Sequence, residues 1–315
     1  GTRLIFCFIL MFIISLIDIN KLKNMSPYIY ILCLIMLMIT LFWGHDVKGA
    51  KRWIVIMGFS FQVSEIIKFF VPMTLAWYLS LSDDKDIDIK KLIICFAIIL
   101  APIFFIIKQP DLGTSLIILL CGLITIFLGG IKKKQMIILF GLFSIAIPIM
   151  WKFILLPYQK KRIMTLFDPT LDPLGSGYHI MQSKIAVGSG GFLGKGFLNG
   201  TQSQLEFLPE RGTDFIFAVF AEEFGFVGVL ILFLVYLIII ARCLKITFKA
   251  KSYFAKIFSG SISSILILLV VTNVSMAVGL LPVVGVTLPL ISLGGSSLLS
   301  IFAAFGIMFS INRRA

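Results

Sequence analysis

The chain has 315 residues, 59% of them hydrophobic, with a net charge of +13 and a mean hydropathy of +1.06. That apolarity excludes an ordinary soluble globular domain. In a membrane protein the excess of Lys and Arg sets topology, so it does not point to nucleic acid.

A helix needs about 20 mostly apolar residues to cross the hydrocarbon core. In chain order, spans are predicted near residues 4–17, 28–43, 64–81, 92–107, 112–131, 136–156, 215–240, 257–280 and 297–311. Pro72, Pro102 and Pro148 lie inside three of them, which is tolerable where neighbouring helices satisfy the freed backbone groups. The expected fold is all-α: a polytopic membrane helical bundle of nine spans, one domain over 1–315, with a long extracytoplasmic loop at 157–214.

More than half of the 28 basic residues fall on one side of this arrangement: Lys21, Lys23, Lys85, Lys90, Lys91, Lys132 to Lys134, the run 242–256, Arg313 and Arg314. That side is expected to be cytoplasmic, together with the C-terminus. Nine spans then put the N-terminus outside, although GTRLIFCFIL has no convincing signal-peptide pattern. A missing first helix is the expectation that reconciles the two. The five cysteines are scattered without CxxC or His/Cys spacing, so neither a disulfide framework nor a zinc site is expected.

Within the long loop, 157–177 is basic and then turn-rich, and 178–204 is a short helical pattern followed by a glycine run. GSGGFLGKG lacks a preceding strand and a Ser or Thr after Lys195, so it is not a nucleotide-binding loop. It either offers backbone N–H groups to an anionic head group or makes a tight turn against the bundle. The loop is too apolar for disorder and is expected to pack onto the outer face.

Several charges sit where charge is costly. Glu65 and Lys68 are spaced i,i+3 and can pair, either structurally or around substrate. Asp111 stands at a helix start, where capping is the competing role. A third of the chain's 15 acids crowd into 205–223: Glu206, Glu210, Asp214, Glu222 and Glu223. LPERGT reads as an exposed turn, with Thr213 or Asp214 capping the next span. At least one of Glu222 and Glu223 must face protein or water. Finally, Pro282, Pro289 and Gly294 to Ser297 make 280–297 irregular, which at this depth requires burial or a wet cavity. A cavity open to the outer face is expected.

GAKRW (49–53), QPDLGT (109–114), GYHIMQSKIAVGSGG (177–191), LEFLPERGTDFIFAVFAEE (205–223) and LLPVVGVTLPLISLGGSS (280–297) together resemble the SEDS family, its RodA branch more than FtsW. The resemblance covers essentially the whole chain. It implies a ten-helix glycosyltransferase of the bacterial cytoplasmic (inner) membrane that polymerises lipid II into peptidoglycan glycan strands during cell elongation. It also implies a class B penicillin-binding protein transpeptidase as partner, with other elongation-complex membrane proteins.

The family's essential acid falls on Asp214, implied to be the general base. Lys51, Arg52, Arg162, Lys184 and Arg211 are candidates to hold pyrophosphate, with a divalent cation (Mg or Mn) as companion and no protein metal ligands named. Glu65, Lys68, Gln109, Asp111, Glu206 and Glu210 complete the expected substrate-binding set. The chain departs from the family pattern at Gly212, where a His is usual, and at Val63, where QPSE reads QVSE. The competing functions are a lipid II transporter, which predicts openings to both faces and often repeats, and a non-catalytic scaffold.

Overall fold

A computed structural model describes the chain except for residues 1, 48–49, 57–58, 83–85, 174, 206, 209 and 314–315. The predicted site residue Glu206 therefore lies outside the described residues. All nine expected spans fall on helices, and the protein is a multi-pass helical membrane protein. Among the described residues, six helices are individually long and apolar enough to cross a bilayer. The structure divides into two compact units, residues 1–131, 239–267 and 294–315, and residues 132–238 and 268–293.

The first unit holds α1 (Thr2–Leu16), α2 (Ile19–Trp43), α3 (Val63–Leu79), α4 (Ile89–Lys108) and α5 (Leu112–Leu128). α2 starts earlier than its apolar run because Asp18 caps it, accepting from the Asn20 N–H at 2.7 Å. α3 forms the core: Val63, Ile67, Val71, Met73, Leu75 and Ala76 are sealed from solvent, with α2, α4, α5 and α12 (Gly295–Arg313) packed around it. α1 lies on α12 at Gly306, where a Cβ would come within 2.7 Å of the Met11 carbonyl oxygen. A small residue is needed for so close an approach.

Between α2 and α3 the chain forms three short antiparallel strands, β1 (His45–Val47), β2 (Ala50–Ile56) and β3 (Phe59–Phe61). Trp53 faces His45, and Ile54 faces Phe61. The sequence reading contains no strand here. Trp53, Ile54, Val55 and Ile56 suit an extended backbone, but a run this short is easily taken for a span end.

The second unit opens with α6 (Lys133–Ile149), which loosens into a π turn at Met150–Ile154 after Pro148. α7 (Pro157–Phe167), a 3-10 turn at Pro169–Leu171, α8 (Ser176–Ser189) and α9 (Thr201–Gln204) follow. α7 occupies the basic first part of the long loop, for which the sequence analysis names no helix. Pro157 at its first position has the φ that a helix start requires. α10 (Ile216–Lys249) and α11 (Tyr253–Ala277) each contribute to both units.

α10 is broken at Gly225 (φ 64°, ψ −165°). The glycine-rich turn fills the gap in the helix ladder. Lys195 and Gly196 donate their N–H groups to the carbonyls of Glu222 and Glu223, both at 3.0 Å; Phe226 and Val227 donate to those of Gly191 and Phe192 at 2.9 and 3.1 Å. Of the two readings of this turn, the tight turn against the bundle is the one observed. The remainder of α10 is by itself longer than the roughly 20 residues a span needs. Glu222 and Glu223 stand immediately before this break, within the long helix Ile216–Lys249 that the sequence places in the membrane.

Candidate functional site

The irregular segment 278–293 organises the second unit's polar face. Several of its backbone groups are satisfied by partners inside the protein, as irregular chain near a membrane requires. Leu288 N–H donates to Ser292 Oγ at 2.7 Å, and Ser292 Oγ donates to the Thr213 carbonyl at 2.8 Å. Leu293 N–H donates to the Gly212 carbonyl at 2.7 Å, and the Tyr236 hydroxyl to the Pro289 carbonyl at 2.5 Å. The turn before α10 is thereby stitched to this segment at the two residues that precede Asp214.

Asp214 is half-buried. The turn that carries it closes through Glu210, whose φ is 58° and whose carbonyl accepts from Thr213 N–H at 3.0 Å. The Glu210 carboxylate accepts from the Thr213 hydroxyl at 3.2 Å. α10 begins at Ile216, and Phe215 accepts from the Ala218 and Val219 N–H groups. The capping position thus falls on Phe215, one residue past the two expected. Beside Asp214 lies Gly285: a Cβ there would stand 3.6 Å from Oδ2. Asn273 Nδ2 holds the Asp214 carbonyl at 3.0 Å and the Val286 carbonyl at 2.7 Å.

Two of the predicted cations meet the same segment. Arg162, on α7, donates from Nη1 to the Val283 carbonyl at 3.4 Å. Lys184, on α8, lies over Gly279, where a Cβ would stand 2.9 Å from its Nζ. Both side chains belong to exposed residues. α7 and α8 are tied by Asp172, which accepts from Lys161 Nζ at 2.9 Å and, through its other oxygen, from Ser176 N–H at 2.9 Å. The Lys161 ammonium, and then the Ser176 N–H, hold the Asp172 carboxyl below the usual carboxylate range. The Thr170 hydroxyl and N–H do the same for Asp168. Arg211 is exposed in the turn before Asp214.

The remaining predicted residues sit in the first unit and already have partners. Arg52 donates from Nε to the Gln109 carbonyl at 3.0 Å and from Nη2 to the Pro110 carbonyl at 2.5 Å. Its Nη1 is 3.9 Å from Asp111. Asp111 caps α5, accepting from Thr114 N–H at 3.2 Å and Thr114 Oγ1 at 3.0 Å. Gln109 is buried and donates to the Leu37 carbonyl at 3.2 Å. Lys51 Nζ donates to the Phe42 carbonyl at 3.4 Å. Glu65 and Lys68 form a buried ion pair at 2.6 Å.

Four residues important to this arrangement were not singled out by sequence as functional: Asn273, Ser292, Asp172 and Lys195. Lys195 donates to Glu222 Oε1 at 2.7 Å, which also accepts from Thr201 Oγ1 and Gln202 N–H. Glu222 is fully buried and Glu223 nearly so, as their place in an apolar run required. Gly212, where the resembled family carries His, has room for a side chain: a Cβ would meet only the Leu293 side chain, at 3.0 Å, and Leu293 is largely exposed and free to shift.

The family description "Cell cycle protein", covering FtsW, RodA and SpoVE, matches residues 1–315. The chain is 45% identical over 304 residues to the peptidoglycan glycosyltransferase MrdB of Escherichia coli K12, an alignment covering 96% of this chain and 82% of that protein. Among solved structures, it matches a chain from a peptidoglycan synthase complex that coordinates polymerization and crosslinking. The TM-score is 0.85 at 28% identity, covering 99% of this chain and 88% of that one. The rod shape determining protein RodA of Thermus thermophilus matches with a TM-score of 0.71 at 25% identity, covering 99% and 87%.

Proposed function

The chain belongs to the FtsW/RodA/SpoVE family and is a peptidoglycan glycosyltransferase; we propose that Asp214 is the general base with which it polymerises lipid II. The observation that carries this reading is the fixing of Asp214: the carbonyls of Gly212 and Thr213 just before it and its own carbonyl are bonded to 273–293, while the carboxylate faces a glycine. A base must be held within reach of the proton it takes.

The 4-hydroxyl of an N-acetylglucosamine attacks an anomeric carbon. The new glycosidic C–O bond forms as the bond to undecaprenyl pyrophosphate breaks, and its electron pair leaves on the pyrophosphate. The hydroxyl proton passes to Asp214. An α-linked donor giving a β-linked product means inversion in a single displacement, so one base suffices; such catalysis contributes roughly 10²–10⁴-fold. Glycosidases use two carboxylates because their leaving group needs a proton. Here Arg162 and Lys184 are proposed to neutralise the pyrophosphate instead, with Arg211, Lys51 and Arg52 as further cations.

Gln109, Asp111, Glu65, Lys68 and Glu210 are proposed to support substrate binding by shaping the backbone around it. Among the described residues no three of His, Cys, Asp and Glu form a metal cage. A divalent ion is proposed only as a companion of the pyrophosphate oxygens. The proposed setting is the bacterial cytoplasmic membrane, with the C-terminus inside, the site on the extracytoplasmic face and a class B penicillin-binding protein as partner. The basic residues gathered on the expected inner side support that orientation.

The test is to supply labelled lipid II to the purified protein with its transpeptidase partner in detergent, where no two compartments exist. Release of one undecaprenyl pyrophosphate per disaccharide incorporated is the expected result. A transporter or scaffold releases none.

A further inference from the structure

The glycine-rich turn 191–199 has inverted polarity. It reads Gly-Phe-Leu-Gly-Lys-Gly-Phe-Leu-Asn, and its single charge points inward, Lys195 Nζ meeting the fully buried Glu222 at 2.7 Å. Its four large apolar side chains point outward: Phe192, Leu193, Phe197 and Leu198 are 68%, 77%, 68% and 59% exposed. A loop standing in water does the opposite, turning its charge to solvent and its apolar groups inward.

The turn is also held firmly in that pose. Its backbone bonds bridge the break in α10, Phe192 stacks on Phe226 with centroids 5.9 Å apart, and Phe197 tilts against Phe224 at 6.1 Å. Phe226 begins the part of α10 that follows the break, in a helix, Ile216–Lys249, whose most apolar stretch has a mean hydropathy of 3.0. Its exposed apolar face continues from Phe226 through Leu230, Leu234 and Leu237. The outward surface of the turn is continuous with the surface by which α10 meets lipid.

We propose that residues 191–199 form an interfacial wedge seated in the outer leaflet, with phospholipid at the boundary of head groups and acyl chains as its partner. Aromatic side chains favour that boundary, and a contiguous apolar patch of this kind is unfavourable in water. Pairing Lys195 with Glu222 removes the only charge that would oppose insertion. The wedge fixes the depth of the α10 break, and with it the level at which the start of α10 meets the membrane surface.

Nitroxide labels at Leu193→Cys and Phe197→Cys, in the full chain reconstituted in phospholipid nanodiscs, test this. The five native cysteines are buried, so unsubstituted protein gives the labelling background. Leu234→Cys serves as the lipid-facing reference, and Lys251→Cys, in an exposed loop, as the aqueous one. The expected result is relaxation by oxygen with protection from a water-soluble nickel chelate at both positions, as at Leu234. Nickel access equal to that at Lys251 places the turn in water and overturns the proposal. Protection from both reagents places it against protein and overturns it equally.

Discussion

Asn273 bridges two main-chain oxygens with one amide nitrogen, that of Asp214 at 3.0 Å and that of Val286 at 2.7 Å, from a side chain sealed from solvent. It is the link that sets the first residue of the site against the segment beneath it. Asn273→Ala leaves carbonyl groups without that partner, a loss of about 1–3 kcal/mol. Because Asp214 then drifts relative to its surroundings, kcat is expected to fall more than KM for lipid II rises. Asn273→Asp brings no N–H to the two carbonyls and does not rescue. Steady-state polymerisation beside thermal unfolding checks both; full kcat in the folded Ala variant removes Asn273 from the positioning role.

Gly285 has a φ of 71° and faces the Asp214 carboxylate. At 3.6 Å from Oδ2, an added methyl makes ordinary contact, so Gly285→Ala is expected to cost mainly the roughly 1–2 kcal/mol of a left-handed L-residue. Gly285→Val carries more bulk towards the same oxygen. A catalytic group displaced by about 1 Å can lose roughly 10²-fold, so Val is expected to reduce kcat far more than Ala does. Equal kcat for the two variants would mean the carboxylate is not confined by this glycine.

The Glu65–Lys68 pair is almost wholly buried. Removing one partner strands a charge, so Lys68→Met is expected to destabilise by about 3–5 kcal/mol. Glu65→Gln combined with Lys68→Met removes both charges and should recover most of that loss. Thermal unfolding in one detergent compares the three; a double variant no more stable than Lys68→Met contradicts the pairing.

Asp172 joins α7 to α8 and so relates Arg162 to Lys184. Its carboxyl is held below the usual range by Lys161 and Ser176. A depressed folded-state pKa contributes stability above the unfolded value, near 3.9, and loses it as pH falls through the folded value. The difference between wild type and Asp172→Asn should therefore be present at neutral pH and shrink below about pH 4. Unfolding of the two proteins across that window tests the sign. The effect is small, since exposed pairs contribute little.

The spans were legible because unbroken apolar runs in a charged-loop context have few other structural outcomes. Asp111 and the Glu65–Lys68 pair were legible because capping and i,i+3 spacing are local. What escaped depends on distance in the chain. Asn273 is a lone amide in an apolar helix until the fold brings Asp214 and Val286 to it. Gly225 is one glycine in a continuous apolar run, and its break exists because residues 191–196 supply the missing hydrogen bonds. Lys195 was read as part of a glycine loop, and its partner Glu222 lies a full turn-and-helix later. The Asp-Pro pairs at 168 and 172 did signal turns, but not that Asp172 would hold two helices together.

The central claim, that Asp214 takes the acceptor proton, is tested most directly by comparing wild type with Asp214→Asn. Both are purified with the partner penicillin-binding protein and supplied with labelled lipid II, with its transpeptidase blocked by a β-lactam. Asparagine keeps the size of the side chain and removes its basicity. Glycan polymer from wild type and none from the variant, with both folded and bound to the partner, is the predicted result. Equal polymer from both would contradict it and move the base away from Asp214.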